Sequence, residues 1–329
     1  MTRILVVGGG IVGLSTALAL ARRGREVVVL ERSLAGVEAS TAAAGILAPR
    51  VEAHGNVEVR TLGIRALDVL ARWCGELGDV GLLHCGALFV GGASPDADAV
   101  ECETPFLESL GPALRATHAW LLTEEACVDP RQLVPAIAEA ARAAGVRIRS
   151  GVSVERVEPD AVVYADGGIS RGETVLCAGS WSGGLVAGVP VRPIRGQLVA
   201  LDARNVVNAV VFGEGGYIVP RRDETVVGTT MEEVGFTRGV TDEGMDSVLR
   251  VGQKLARGLA NTNVLRHWSS FRPATPDGQP LVGKRSGGWV AAGHHRNGIL
   301  LSALTAEVMA EAICDGAPPP ELWNAERFG

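Results

Sequence analysis

Two clusters of residues in the sequence could do chemistry. The C-terminal cluster, AAGHHRNGILLS, holds the adjacent pair His294 and His295, followed by Arg296 and an asparagine. Imidazoles bind metal ions or transfer protons, whereas a guanidinium can hold a carboxylate through two parallel hydrogen bonds. A metal site is disfavoured, because adjacent residues on an extended segment point to opposite sides and no acid or cysteine cluster accompanies them. The arginine and the helix start that follows it are the stronger alternatives.

The N-terminal cluster is a glycine-rich turn that suits a dinucleotide. Gly8, Gly10 and Gly13 match the pattern G-x-G-x-x-G. In this pattern the first glycine permits a tight turn and the second lets a pyrophosphate approach the start of a helix. The third lets the helix and a strand pack closely. A carboxylate at Glu31 could accept hydrogen bonds from ribose hydroxyls. The turn alone does not distinguish NAD from FAD.

The surrounding elements have to position these glycines. RILVV is a short β-branched run typical of a buried parallel strand, LSTALALARRG predicts a helix ending at Gly24, and EVVVL predicts a second strand ending at Glu31. The strand, the turn, the helix and the acid follow one another in this order. This order favours a dinucleotide-binding site over a glycine-rich turn that binds nothing.

A loop of small residues follows the second strand. Residues 39–50, ASTAAAGILAPR, carry hydroxyls at Ser40 and Thr41. The pair Ala44 and Gly45 would let a flat ring lie against the backbone. The alternative interpretation of this loop is a flexible linker.

Composition limits the class of protein. The chain has 329 residues, of which 47% are hydrophobic and 21% charged, and its net charge of −6 gives no reason to bind nucleic acid or an anionic membrane. The six cysteines are scattered without a C-x-x-C pair, which predicts no zinc site or disulfide framework and fits a reduced, cytoplasmic protein. Glycines interrupt the most apolar early stretch, residues 4–21, so we interpret it as strand, turn and helix and not as a membrane span.

The motifs, taken in order, resemble a known family. The motifs along the chain are GGGIVG with Glu31, STAAAGILAP, VDPRQLV, YIVPR, GTTM, FRPATPDGQPLVG and AAGHHRNGILL. This set resembles the glycine oxidase and D-amino-acid oxidase family of FAD enzymes, most closely the glycine oxidases of thiamine biosynthesis. Sarcosine oxidase relatives attach FAD through a cysteine just before the TPD turn, where this chain has Ser270. The resemblance therefore implies non-covalent FAD.

The resemblance implies an α/β fold with two domains. A discontinuous, Rossmann-like FAD-binding domain with a parallel sheet core would comprise residues 1–78, 129–190 and 273–329. A second, antiparallel-β-rich substrate-binding domain would comprise residues 79–128 and 191–272. Strands with short turns and no alternation with helices in the second half of the chain favour the same division.

Motifs and resemblance together indicate a set of cofactor-binding residues. In the family, the segment around Arg296 runs alongside the flavin ring and the last helix points its positive end at the flavin. The predicted residues are Gly8, Gly10, Ile11, Val12, Gly13, Glu31, Arg32, Ser40, Thr41, Ala44, Gly45, Ile46, Val154, Ala178, Gly179, His294, His295, Arg296, Asn297, Gly298, Ile299 and Leu300.

The resemblance also implies the catalytic residues. Arg272 occupies the family's carboxylate-binding position, and the alternative is a structural salt bridge to an acid such as Asp277. Tyr217 matches the active-site tyrosine, against the alternative of a core tyrosine, and Met231 aligns with a pocket-lining methionine, against that of plain core. Arg296 would be a second guanidinium at the substrate entrance, or would pair with a surface acid.

The implied activity is oxidative deamination of glycine or a related small amino acid, such as sarcosine or D-alanine. Hydride would pass to the flavin, O2 would be reduced to H2O2, and the imine would hydrolyse to a 2-oxo acid and ammonia. A dehydrogenase with another electron acceptor, an oxidase of a different secondary amine and a binding subunit remain alternatives, and the oligomeric state stays open. Gly215 stands where glycine oxidases carry a histidine, which leaves the pocket size open.

Overall fold

The computed structural model describes residues 3–103, 107, 114, 116–286 and 288–328. Its strands are β1 Ile4–Val7, β2 Val27–Leu30, β3 Ile46–Leu47, β4 Ala87–Val90, β5 Val100–Glu103, β6 His118–Leu122, β7 Ala126–Cys127, β8 Arg147–Arg149, β9 Val154–Glu158, β10 Ala161–Tyr164, β11 Ile169–Arg171, β12 Glu173–Leu176, β13 Arg192–Leu201, β14 Val210–Gly213, β15 Gly216–Pro220, β16 Thr225–Gly228, β17 Val264–Ala274, β18 Leu281–Arg285 and β19 Gly288–Ala292. The α-helices are α1 Ile11–Arg22, α2 Ala39–Ala42, α3 Pro49–Glu52, α4 Val57–Leu77, α5 Pro130–Ala143, α6 Ser182–Leu185, α7 Asp242–Leu255 and α8 Gly298–Asp315. Short 3₁₀ turns span Gly179–Trp181, Arg257–Leu259 and Glu321–Trp323.

The first large sheet has six strands in the order β18-β19-β12-β1-β2-β8. All neighbours pair in parallel except the edge pair β18 and β19. Alternate residues of β1 face opposite sides, so Ile4 and Val6 pack under the helices while Leu5 and Val7 pack against the small sheet β9-β10-β11. Helix α1 packs between α5 and α8 on the helical face. The predicted α/β fold with a parallel sheet core is confirmed.

The second large sheet has eight strands in the order β17-β13-β16-β15-β14-β4-β6-β5. Its neighbours pair antiparallel except β14 and β4, and α7 packs on β13, β15 and β16. This sheet draws its strands from residues 87–122 and 192–274. The domain boundaries stay a prediction, and residues 1, 2, 104–106, 108–113, 115, 287 and 329 of the predicted ranges lie outside the described residues.

The edge of the second sheet includes a strand from a part of the chain that is acidic and proline-bearing. Val100–Glu103 forms β5 and pairs antiparallel with β6, with Cys102 buried and its neighbours exposed. Charged residues are compatible with an edge strand because one side of such a strand faces water. Among the described residues, no helix is both long and apolar enough to cross a membrane.

Candidate active site

One elongated cavity is lined by both large sheets. The carboxyl ends of β1, β12 and β19 contribute Val7, Cys177 and Ala292, while β13 and β17 contribute Leu198 and Phe271. Ligands of open α/β sheets bind at the carboxyl ends of the parallel strands. The cavity therefore begins where a dinucleotide belongs and ends against the antiparallel sheet.

The glycine-rich turn is so tightly packed that side chains would not fit. Gly8 has a φ of +110°, and a Cβ there would lie 2.3 Å from the carbonyl oxygen of Cys177. A Cβ on Gly13 would lie 2.0 Å from the carbonyl oxygen of Gly8. Gly13 does not line the cavity, so its place fits the predicted role in helix–strand packing. The backbone of the turn is thereby exposed to whatever occupies the cavity.

The polar groups of this end fit a dinucleotide. A carboxylate oxygen of Glu31 accepts a hydrogen bond from the Gly9 N–H at 2.8 Å, and the other accepts one from the Ser33 N–H at 2.9 Å. Ser40 accepts from the Ile11 N–H at 2.9 Å, at the start of α1. A buried carboxylate, a hydroxyl and a helix N-terminus are the donor and acceptor set that ribose and pyrophosphate require.

The small-residue loop is fixed and is not a flexible linker. Gly45 would place a Cβ 1.9 Å from the carbonyl oxygen of Val128, and the Trp268 indole N–H donates to the carbonyl oxygen of Ala42 at 2.9 Å. Ala44, Gly45 and Ile46 line the cavity. This loop thus gives the cavity a wall of backbone and small side chains, against which a flat ring could lie.

Arg272 lies near the end of β17, at the other end of the cavity. Its guanidinium donates to the Thr230 carbonyl oxygen at 3.2 Å and to the Thr229 hydroxyl at 2.6 Å. Burial lowers the pKa of this guanidinium, and the adjacent Tyr217 opposes the shift. Asp277, the predicted alternative partner, instead pairs with Arg327 at 2.8 Å. Within the described part of the chain, Arg272 forms no ion pair with a carboxylate.

Tyr217 stands beside Arg272 on the cavity wall. The residue is 7% exposed and lies on β15, directly opposite Gly228 of β16. A Cβ on Gly228 would come within 2.7 Å of the phenol ring, so the ring packs closely against that backbone. Gly215 lies in the β14–β15 turn with a φ of +84° and faces Val251. This position is not among the residues that line the cavity.

The two adjacent histidines have different surroundings. His294 is buried and its Nε2 lies 3.0 Å from the Thr305 hydroxyl, while burial lowers its pKa to about 3. His295 lines the cavity and its Nε2 has no hydrogen-bond partner among the described residues. Burial and the charges of Arg272 and Arg296 lower the pKa of His295 to about 4. Both imidazoles are therefore neutral at neutral pH.

Arg296 combines both of its predicted alternatives. It lines the cavity and forms a two-pronged ion pair with Glu52, with nitrogen–oxygen distances of 2.9 Å. Burial lowers the pKa of Arg296. The Glu52 carboxylate outweighs this effect and raises the pKa above its ordinary value. The partner is not a freely exposed surface acid, since the Glu52 side chain is only 10% exposed and also lines the cavity.

The structure brings most of the predicted site residues together around this cavity. Met231 is the exception among the predicted catalytic residues, because it is 56% exposed and does not line the cavity. Thr41 donates to the Gly36 carbonyl oxygen, and Leu300 is buried in the core of the parallel-sheet domain. The predicted residues that line the cavity are Gly8, Gly10, Ile11, Val12, Glu31, Arg32, Ser40, Ala44, Gly45, Ile46, Val154, Ala178, Gly179, Tyr217, Arg272, His294, His295, Arg296, Asn297, Gly298 and Ile299.

The prediction that Met231 lines the pocket is therefore wrong in this fold. On either side of it, the Thr230 hydroxyl accepts from the Gln197 N–H at 2.9 Å, and the Glu232 carboxylate accepts from the Gln197 amide at 2.7 Å. Because successive side chains of an extended segment point to opposite sides, Met231 turns to the surface.

Sequence reasoning missed several cavity residues. Gly196 lies where a Cβ would be 2.1 Å from an Arg272 guanidinium nitrogen, so this glycine makes room for the arginine. The signal was an isolated glycine within a strand, which indicates close approach of another group. Trp181 follows the predicted Ala178-Gly179 turn, and the Arg32 guanidinium carbon lies 3.7 Å from its ring centre. Glu52 gave no signal in the sequence.

The comparisons with known proteins agree with this geometry. The family model described as DAO, FAD dependent oxidoreductase, matches residues 3–312. The bifunctional protein ThiO/ThiG of Nostoc sp. (strain PCC 7120) is 33% identical over 98% of this chain and 54% of its own length. This chain thus spans about half the length of that relative. The glycine oxidase of Pseudomonas putida (strain KT2440) is 29% identical over 96% of this chain and 97% of its own length.

The fold also matches solved structures. The crystal structure of glycine oxidase from Geobacillus kaustophilus aligns with a TM-score of 0.89 at 25% identity, over 100% of this chain and 98% of that one. The glycine turn that admits backbone contact, the buried Glu31 and the small-residue wall are the groups that would hold FAD here. The chain belongs to the DAO family of FAD-dependent oxidoreductases, and FAD is its cofactor.

Proposed function

We propose that this protein is an FAD-dependent oxidase of glycine or a related small amino acid, such as sarcosine or D-alanine. The observation that carries the proposal is the Arg272 guanidinium at the cavity wall, which donates to Thr229 and Thr230 and lies beside the Tyr217 hydroxyl. The remaining donors can hold a carboxylate through charge-assisted hydrogen bonds. Relatives named glycine oxidase support the same substrate class.

The charges around this end of the cavity favour an anionic group. Arg272 and Arg296 carry two positive charges against the single negative charge of Glu52, and both histidines are neutral at neutral pH. A local excess of positive charge raises the concentration of carboxylates at the site. A neutral or cationic amine without a carboxylate would gain nothing from this arrangement.

The chain's own residues would position the substrate. Arg272 and the Tyr217 hydroxyl would hold the carboxylate, so that the Cα–H is directed away from the antiparallel sheet, toward the small-residue wall of the cofactor end. Bound FAD would supply the electron acceptor, taking hydride from the substrate and passing the electrons to O2 to give H2O2. Solvent can remove the amine proton, and water hydrolyses the released imine to a 2-oxo acid and ammonia, or to a 2-oxo acid and methylamine when the substrate is sarcosine.

Anaerobic mixing with glycine, sarcosine and D-alanine tests the proposal. We expect at least one of these substrates to reduce the flavin and bleach its absorbance in the FAD-loaded protein.

Arg272→Ala should lower kcat/KM about a hundredfold or more, chiefly through KM, because the carboxylate loses its charged partner. Arg272→Lys should recover part of the loss, and His295→Ala should raise KM far less. Equal effects of the alanine variants at 272 and 295, or no bleaching with any substrate, would reject the assignment.

Peroxide yield distinguishes the oxidase from a dehydrogenase that uses another acceptor. We expect one H2O2 per substrate molecule oxidised in air, whereas a dehydrogenase would turn over slowly until a quinone or dye is added.

A second measurement tests whether the flavin is covalently attached. Because Ser270 cannot form a thioether, denatured protein should release its flavin and show no added mass in intact-protein mass spectrometry. The ThiO/ThiG name of the relatives agrees with the thiamine biosynthesis that the resemblance implies.

A further inference from the structure

Two cysteines outside the proposed reaction lie in contact beside the cavity wall. The Sγ atoms of Cys85 and Cys127 are 3.6 Å apart, although 42 positions separate the residues along the chain. All six cysteines of the protein are free thiols. In the described ranges, this is the one pair whose sulfur atoms touch. The scattered spacing of cysteines in the sequence gave no sign of it.

The backbone holds these two side chains together. Leu83 and Cys127 exchange hydrogen bonds, from the Leu83 N–H at 2.8 Å and from the Cys127 N–H at 3.0 Å. The Gly86 N–H donates to the Glu125 carbonyl oxygen at 2.9 Å. Cys85 lies between these two anchor points, so the backbone keeps its thiol near that of Cys127.

Cys127 connects this pair to the cofactor cavity. It pairs with Ile46 in the two-stranded sheet β3-β7, and Ile46 lines the cavity. On the other side, its Sγ lies 3.7 Å from the carbonyl oxygen of Pro220, in the strand that carries Tyr217. A change at Cys127 therefore reaches the walls of both ends of the cavity.

We infer that Cys85 and Cys127 are a redox-active pair that hydrogen peroxide converts into a reversible disulfide. A disulfide has a sulfur–sulfur distance of about 2.05 Å, so the two sulfurs must approach each other by about 1.5 Å. Rotation about the single side-chain torsion of each cysteine supplies part of this approach, and a small shift of the Cys85 segment supplies the rest.

The reaction balances with peroxide as the oxidant. The Cys85 thiolate attacks one peroxide oxygen, the O–O bond breaks and hydroxide leaves to become water, which produces a sulfenic acid on Cys85. The Cys127 sulfur then attacks the Cys85 sulfur, the S–O bond breaks and a second water leaves. Two thiols lose two electrons and two protons, and one H2O2 is reduced to two waters.

The surroundings assign the two roles. Cys85 is half-buried next to the exposed His84, whereas Cys127 is 2% exposed, so peroxide reaches Cys85 first. The hydrogen bond from Cys127 lowers the pKa of the Cys85 thiol. The same contact, together with burial, raises the pKa of Cys127. The thiol with the lower pKa is the better nucleophile at neutral pH, and the buried thiol resolves the sulfenic acid.

Only the source of peroxide rests on the proposed oxidase function. The first experiment therefore uses reduced, FAD-loaded protein with added H2O2 and no substrate. Digestion at Arg115 places the two cysteines on separate peptides, and digestion at Glu76 and Glu101 separates Cys85 from Cys74 and Cys102. We expect mass spectrometry without reduction to find a Cys85–Cys127 linked peptide that dithiothreitol removes. Absence of this peptide, or conversion of Cys85 to sulfinic acid without it, overturns the inference.

Substitutions sharpen the assignment of roles. Cys127→Ser should accumulate a sulfenic acid on Cys85 that dimedone traps, whereas Cys85→Ser should leave Cys127 unreacted. Cys314→Ser is the matched control, because this partly exposed cysteine is not in contact with another sulfur in the described structure. The Cys314→Ser variant should form the linked peptide as the unmodified protein does. Loss of the linked peptide in Cys314→Ser would overturn the pairing. If Cys127→Ser or Cys85→Ser fails to fold, the linked peptide in the unmodified protein still decides whether the two cysteines form a disulfide.

A turnover experiment separates the two proposals. Glycine and O2 should produce the linked peptide in the absence of catalase, and catalase should reduce its amount. If added H2O2 forms the linked peptide but no tested substrate produces peroxide, the thiol pair stands and the oxidase proposal fails. If substrate produces peroxide but neither this peroxide nor added H2O2 links the cysteines, the oxidase proposal stands and the thiol pair fails.

Discussion

At the dinucleotide end of the cavity, the glycine-rich turn and the small-residue loop expose backbone and small side chains, whereas a few large polar side chains define the substrate end. The first end is built from residues 7–46 with contributions from the neighbouring parallel strands. The second brings together Glu52, Tyr217, Arg272 and Arg296, which come from four distant parts of the chain. One end depends on the absence of side chains and the other on the placement of a few.

This difference determines what a substitution can do. Adding one carbon at Gly8 or Gly13 places it within 2.3 Å of a backbone carbonyl oxygen, so the damage is steric and immediate. At the substrate end, each arginine is held by a small number of polar partners, so a nearby change moves it without disturbing the fold. Substitutions at the two ends test this contrast.

Gly13→Ala should have the largest effect. The added Cβ would lie 2.0 Å from the Gly8 carbonyl oxygen, which must push α1 away from β1. We expect the purified protein to lack flavin absorbance and to lose about 3 kcal/mol of stability. Gly75→Ala is the control, because a Cβ at that position in α4 meets no atom within 4 Å. A flavin content equal in both variants would show that the turn tolerates a side chain.

The dinucleotide end was also the part most readily predicted from sequence. Gly8, Gly10, Gly13 and Glu31 lie within one strand–helix–strand unit, so local spacing alone places them together. The helix start that the sequence indicates after Arg296 likewise lies at Gly298 in the structure. In both cases the determining interactions are between residues close in sequence.

The substrate end could be predicted only through the family resemblance. Sheet register places Ile194 opposite Arg272 and Tyr217 opposite Gly228, and a shift by one residue would turn each side chain to the other face. Nothing local in the sequence encodes that register. Glu52 lies on α3 and gave no signal in the sequence, whereas the family resemblance placed Met231 in the pocket.

Gly196→Ala should displace Arg272 without removing it. The new Cβ would lie 2.1 Å and 2.4 Å from the two terminal guanidinium nitrogens, so the fork must move. Misplacement by about 1 Å can cost on the order of a hundredfold in rate, and we expect kcat/KM to fall by about tenfold to a hundredfold. Flavin content should stay normal. Gly184→Ala, which adds a Cβ in open space, is the control, and an equally active Gly196→Ala variant would contradict the placement of the arginine.

The buried His294 predicts a pH dependence of stability. Burial lowers its pKa from 6.5 to about 3, so between these values the unfolded chain binds a proton that the folded chain does not. Stability is therefore greatest above pH 6.5 and falls with decreasing pH, by about 1.4 kcal/mol per pH unit for one such group. His294→Gln can keep the contact with Thr305 but cannot titrate.

Urea unfolding of the FAD-saturated protein measures this effect. The free energy of unfolding should drop between pH 6.5 and 5 by about 2 kcal/mol more in the original protein than in His294→Gln. His295 titrates in both proteins and cancels in the comparison. Identical pH slopes would mean that His294 is hydrated or protonated in the folded state.

Met231→Ala should have the smallest effect, and it tests the substrate end most critically. The side chain is 56% exposed, so truncation removes little buried surface and should change stability by about 0.5 kcal/mol or less. If the cavity ends at Arg272 and Tyr217, kcat/KM for glycine should stay within about twofold. The family resemblance places Met231 in the pocket, whereas the alternation of side chains places it outside. A large loss of activity with unchanged flavin content would therefore mean that the segment after β16 turns inward when substrate binds. An unchanged activity would leave specificity to the guanidinium and phenol groups, whose positions the sheet register sets.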